Sequence, residues 1–66
     1  MYRFCKLLPT NKRNKQLIKQ YGDKWFLVKE REIVQCFDDK EGYLIMSQDR
    51  KNLRWVVAKE ISEVSE

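Results

Sequence analysis

Histidine is absent from the chain, and with it go the commonest general base and the commonest metal ligand. Cysteine occurs only at Cys5 and Cys36, in neither a CxxC nor a Cys/His spacing, and no signal-peptide pattern precedes them. Both thiols are therefore expected to be reduced, buried, small hydrophobes of a cytoplasmic protein. No apolar run approaches the roughly 20 residues that cross a bilayer, so no membrane role is expected. Proline occurs once, at Pro9, and glycine twice, at Gly22 and Gly42. None of the three lies in a phosphate-cradling loop, and each reads as a stop or a turn.

Catalysis has little to stand on. Ser47 has no base beside it in sequence, and nucleophilic chemistry by Ser47, Cys5 or Cys36 is not expected. Asp38, Asp39 and Glu41 put three carboxylates within four positions, but without the glycine and terminal glutamate of a calcium loop they read as a solvated acidic turn. The expectation is a protein that is not an enzyme and carries no cofactor or metal.

What the chain has is aromatic residues and charge. Sixty-six residues suit one domain, 1–66, near the lower limit of size for a self-sufficient core. Tyr2, Phe4, Tyr21, Trp25, Phe26, Phe37, Tyr43 and Trp55 supply much apolar area for that length. The net charge of +4 is unevenly spread. Residues 1–29 hold eight basic side chains against the single acid Asp23, a local charge of +7, whereas residues 30–66 carry −3. Such polarity steers anionic partners toward the first half, although a lysine-rich solvated surface produces the same count.

The segment from Gly42 to Val57 reads most clearly: two short runs rich in β-branched and aromatic residues flank the polar connector Gln48 to Asn52, the pattern of a β-hairpin. Tyr2 to Leu8 reads as a first strand stopped by Pro9. Thr10 or Asn11 can cap a helix up to Gly22, for which Asn14 to Tyr21 is the favoured span; a basic loop followed by a short strand is the competing reading. Lys24 to Lys29 is a strand apolar on both faces, with Trp25 in the core. Glu30 to Glu32 is a polar connection, and Ile33 to Phe37 is another strand. Asp38 to Gly42 is a tight turn in which Gly42 supplies a positive φ. Lys59 to Glu66 is one helical turn or a last edge strand.

Five short strands in so small a chain predict a mainly β fold, a strongly bent sheet or barrel with one short helix in the N-terminal third. The succession Gly-Asp-x-Trp-x-x-Val (Gly22 to Val28), Ile-Val-x-Cys-Phe (Ile33 to Phe37), Gly-Tyr-Leu-Ile-x-Ser (Gly42 to Ser47) and Arg-Trp-Val (Arg54 to Val56), then Ile61 and Val64, resembles the strand sequence of Src-homology-3-like small barrels. That resemblance implies a helical turn and a short closing strand after the last hairpin, which Lys59 to Val64 can provide. The acidic and aromatic pairs with which peptide-binding members hold proline-rich ligands are not recognisable, so that activity is not implied.

The candidate binding residues are Lys12, Arg13, Lys15 and Lys19, with Arg50, Lys51 and Arg54 as a second basic edge and Trp55 or Tyr21 to stack on bases. Together they suggest a non-enzymatic module that recognises an anionic macromolecule, nucleic acid first. The rival is a stand-alone inhibitor or adaptor of the kind that phages encode, docking on a host enzyme. A third reading is a subunit that oligomerises by edge pairing, and a monomer or weak homodimer is expected.

Overall fold

The computed structural model of the protein describes residues 3–65 and, at Cys36, the backbone alone. The strand position expected for Tyr2 and the burial expected for the Cys36 side chain lie outside the described residues. Strand β1, Arg3–Leu7, turns Cys5 and Leu7 into the core, which leaves Phe4 on the opposite face with Lys6. Period-2 geometry allows only one face per parity, and the face bearing Lys6 stays outside.

Helix α1, Lys12–Tyr21, begins two residues before the favoured span. Asn11 caps it from an extended backbone, its side-chain oxygen accepting the Asn14 N–H at 2.8 Å. Gly22 ends it at φ 84°, donating its N–H to the Ile18 carbonyl at 2.8 Å. Asn14, Leu17, Ile18 and Tyr21 share one stripe of the helix, and the three apolar members pack on the core. Asn14, at the head of that stripe, is fully buried.

Strand β2, Lys24–Val34, runs straight through the expected break at Glu30–Glu32. Its far half is solvent-exposed, so charges cost little there. Two register shifts against its neighbour, between Leu27 and Lys29 and between Lys29 and Glu32, take up the irregularity, with Arg31 at φ 55°. Gln35–Phe37, expected to be strand, forms a 3₁₀ turn instead, because the chain reverses there to pair Val34 with Lys40. Asp38 and Asp39 make that reversal in the left-handed region, which short polar side chains tolerate.

Strands β3, Lys40–Met46, and β4, Leu53–Val57, form the predicted hairpin. Gly42 does not supply a positive φ; of the two glycines only Gly22 does. Its role is close approach, because a Cβ there would lie 2.7 Å from Val34 Cγ2 and 3.3 Å from the Phe37 ring. Gly42→Ala is expected to cost about 1–3 kcal/mol, since β-branched Val34 cannot swing aside without leaving its rotamer; urea denaturation measures it, and an unchanged midpoint would show that the contact is slack.

A 3₁₀ turn, Ala58–Glu60, leads into β5, Ile61–Ser62, which pairs with β1. The sheet order is β4-β3-β2-β1-β5, every pairing antiparallel, in a strongly curled half-barrel. The described residues thus form five strands, but two predicted strands are partly fused in β2 and the fifth is β5. Cys5, Leu7, Trp25, Leu27, Ile45, Val56 and Ile61 form the core on the concave side under α1. Burial pushes the Cys5 thiol up to about 11, as suits an inert packing residue. Among the described residues no helix is long and apolar enough to cross a membrane.

Candidate nucleic-acid interface

The convex face of the sheet is built by register. Phe4 of β1 lies opposite Phe26 of β2, Phe26 opposite Met46 of β3, and Met46 opposite Leu53 of β4. Four apolar side chains therefore cross four strands in one row, on the side that α1 does not cover. The Phe4 and Phe26 rings are 4.9 Å apart, tilted by 31°. Two residues along the same face, Lys6 lies opposite Lys24, a like-charge cross-strand pair that is unfavourable in itself. Lys24 Nζ sits 4.3 Å from the centre of the Phe4 ring, and the Arg50 guanidinium 5.6 Å from that of Phe26.

Arg50 is placed by a tightly bonded hairpin loop. The buried Ser47 hydroxyl donates to the Asp49 carboxylate and accepts the Asn52 N–H, and Asp49 also accepts the Lys51 N–H at 3.0 Å. Those two donors, the Ser47 hydroxyl first, hold the Asp49 carboxyl below its ordinary pKa. Arg50 closes the turn, its N–H donating to the Ser47 carbonyl, with φ at 63°. Arginine has no intrinsic preference for that left-handed position, where glycine or asparagine is the usual occupant. A like-charge pair and an arginine in the left-handed region thus flank the same two rings.

The strip continues around the edge of β1. One cleft of about 400 Å³ runs beside Phe4 between Lys6 and Lys24, and a second of about 320 Å³ shares Lys6 and Asp23 with it and is lined on its far side by Lys15 and Ile18 of α1. Of the residues singled out in the sequence, Lys15 and Arg50 therefore belong to this strip, and Lys51 adjoins Arg50 in the loop. Lys12 and Lys19 are exposed elsewhere on α1. Trp55 is half-buried on the convex face, opposite Leu44.

Arg54 and Arg13 form a separate group. Arg54 lies opposite the fully buried Ile45, hence on the concave side, where its Nε has no hydrogen-bond partner among the described residues. Burial first, and then the nearby Arg13, lower its pKa, and Glu60 opposes them. Glu60 also accepts from the side-chain amides of Asn14 at 2.9 Å and Asn11 at 3.2 Å and from the Val57 N–H at 2.8 Å. This network fastens α1 to the end of β4, so Arg54 is tied to the architecture and does not share a face with Trp55.

Phe4, Phe26, Lys6 and Lys24 were not singled out in the sequence. The alternation around Cys5 and Leu7 holds the signal for Phe4, and Trp25-Phe26-Leu27 holds it for Phe26. Their pairing across strands is set by how α1 returns the chain, which no local pattern encodes. No known protein family, curated protein or solved structure matches this chain.

Proposed function

We propose that the protein is a non-enzymatic nucleic-acid-binding module whose contact surface is the convex strip from Arg50 through Phe26, Phe4 and Lys24 to Lys6, with Lys15 of α1 beyond it across the second cleft. The observation that carries this reading is the pair of adjacent rings with a cation at each, Lys24 on Phe4 and Arg50 on Phe26. Bases stack on aromatic faces while cations beside them meet phosphates, and the combination tolerates any sequence. A base arriving on Phe4 displaces the Lys24 ammonium from the ring toward the backbone phosphate, exchanging a weak cation–π contact for an ion pair.

The fold is proposed to be an Src-homology-3-like barrel, on the support of the 3₁₀ turn between β4 and β5 and of β1 pairing with both β2 and β5. We take the module to act in the cytoplasm as a monomer or weak homodimer. A second reading, an inhibitor or adaptor docking on a protein, is favoured by one feature. Leu53, 62% exposed, extends the row of Phe4, Phe26 and Met46 as bare apolar surface.

Fluorescence anisotropy with labelled oligonucleotides tests the first reading. Dissociation constants on the order of 10⁻⁴ to 10⁻⁶ M are expected at physiological salt. Lys24→Gln and Arg50→Gln should each flatten the slope of log affinity against log salt by about 0.7 for single strands. Phe4→Ala should weaken binding by about 1–3 kcal/mol with little change in that slope. Absence of binding at near-millimolar protein in low salt would overturn the reading in favour of a protein partner.

A further inference from the structure

The cleft of about 400 Å³ beside Phe4 differs from the rest of the strip in its charge balance. Lys6 and Lys24 line it together with Asp23 and Glu63, so its formal charge is zero, and Phe4, Cys5 and Ser65 complete its walls. A phosphate is best held where cations are in excess. A neutral cleft with an aromatic wall, ammonium donors and carboxylate acceptors instead suits a neutral heteroaromatic ring with a polar edge. Its volume is at the small end of ligand sites.

Access to the carboxylates is cheap. Lys6 Nζ is 4.0 Å from Asp23 and 3.7 Å from Glu63, with all three side chains substantially exposed, so these pairs are weak and open readily. The frame behind them is firm. The Ser65 N–H donates to the Phe4 carbonyl at 2.9 Å, the Phe4 N–H donates to the Ser65 hydroxyl at 2.8 Å, and the Leu7 N–H donates to the Asp23 carbonyl at 2.7 Å. Arg3 pins the same tail, donating from Nε to the Ser65 carbonyl at 2.7 Å and from Nη1 to both Glu30 oxygens at 2.8 Å. The polar ends can thus move while the walls stay fixed.

Resting on the nucleic-acid reading above, we infer that this cleft takes one unpaired guanine of a single strand, its N–H edge on the Asp23 or Glu63 carboxylate and its carbonyl toward Lys6. Among the bases guanine alone presents two adjacent donors, N1–H and the amino group, to a carboxylate while offering O6 to an ammonium. Thymine and uracil present one donor between two carbonyls, which a carboxylate repels. A base enters the cleft only if it is free of its partner strand, so duplexes gain nothing from it. Phe4 joins cleft and platform, so the next base of the strand rests on the Phe4–Phe26 surface.

The test compares oligothymidylate with the same oligomer carrying one central guanine, adenine or cytosine, by anisotropy at fixed salt. The guanine oligomer should bind about tenfold more tightly than oligothymidylate, the size of discrimination that a good bidentate contact gives. Asp23→Asn with Glu63→Gln should bring the guanine oligomer and oligothymidylate to within about twofold of each other, whatever the two lost charges do to the affinity they share. Equal affinity for all four oligomers, or preference for adenine or cytosine, overturns the guanine assignment while leaving the platform reading in place if Phe4→Ala still weakens binding. Failure of every oligomer to bind overturns both.

Discussion

Trp25→Ala is expected to leave the protein largely unfolded at room temperature. Trp25 is fully buried between Cys5 on β1 and the Tyr21 ring of α1, which meets it edge-on at a centroid distance of 6.2 Å. Its indole N–H donates to the Gly22 carbonyl at 2.9 Å, tying the core to the residue that ends the helix. Truncating a buried tryptophan costs about 3–5 kcal/mol, comparable to the whole stability of a domain this small. Trp25→Phe keeps most of the packing and loses the hydrogen bond, so it should remain folded with a lower midpoint in urea. A cooperative transition of Trp25→Ala at the wild-type midpoint would contradict this description of the core.

Glu60→Ala should come next, at about 2–4 kcal/mol, because one carboxylate serves three donors, the Asn11 and Asn14 amides at the head of α1 and the Val57 N–H at the end of β4. Its loss leaves the buried Asn14 amide with the Thr10 hydroxyl as its remaining acceptor, removes the side-chain acceptor of the Val57 N–H and leaves the Arg54 guanidinium facing Arg13 without compensation. Glu60→Gln retains an acceptor for Val57 and should therefore cost less. The order wild type, Gln, Ala in thermal midpoint is the readout. Equal midpoints for all three would mean that α1 is held by Leu17, Ile18 and Tyr21 alone.

The hairpin and the helix stop were legible because each depends on neighbours in sequence: Gly22 supplies the positive φ, and polar residues separate β3 from β4. Gly42 was legible as important and misleading as to why. Its constraint comes from Val34 and Phe37 on another segment, and sequence shows only that a glycine is present. Glu30 to Glu32 looked like a connection because a run of charges commonly is one, yet bulges let an exposed strand carry it. The surface was harder still. Charge alone groups Arg54 with Lys15, Arg50 and Lys51, yet its place opposite buried Ile45 puts it on the concave side, apart from Arg50 beside the Phe26 ring. Phe4 and Lys24 escaped notice because their meaning lies in what they stand opposite, and register is a tertiary property.

The proposal that the convex strip is the binding face is tested most directly by an amide-resolved NMR titration with a short single-stranded oligonucleotide. Shifts should saturate together at Phe4, Lys6, Lys24, Phe26 and Arg50, with the outward positions Lys12 and Lys19 of α1 little changed. Shifts confined to α1, or none at millimolar oligonucleotide, would contradict it.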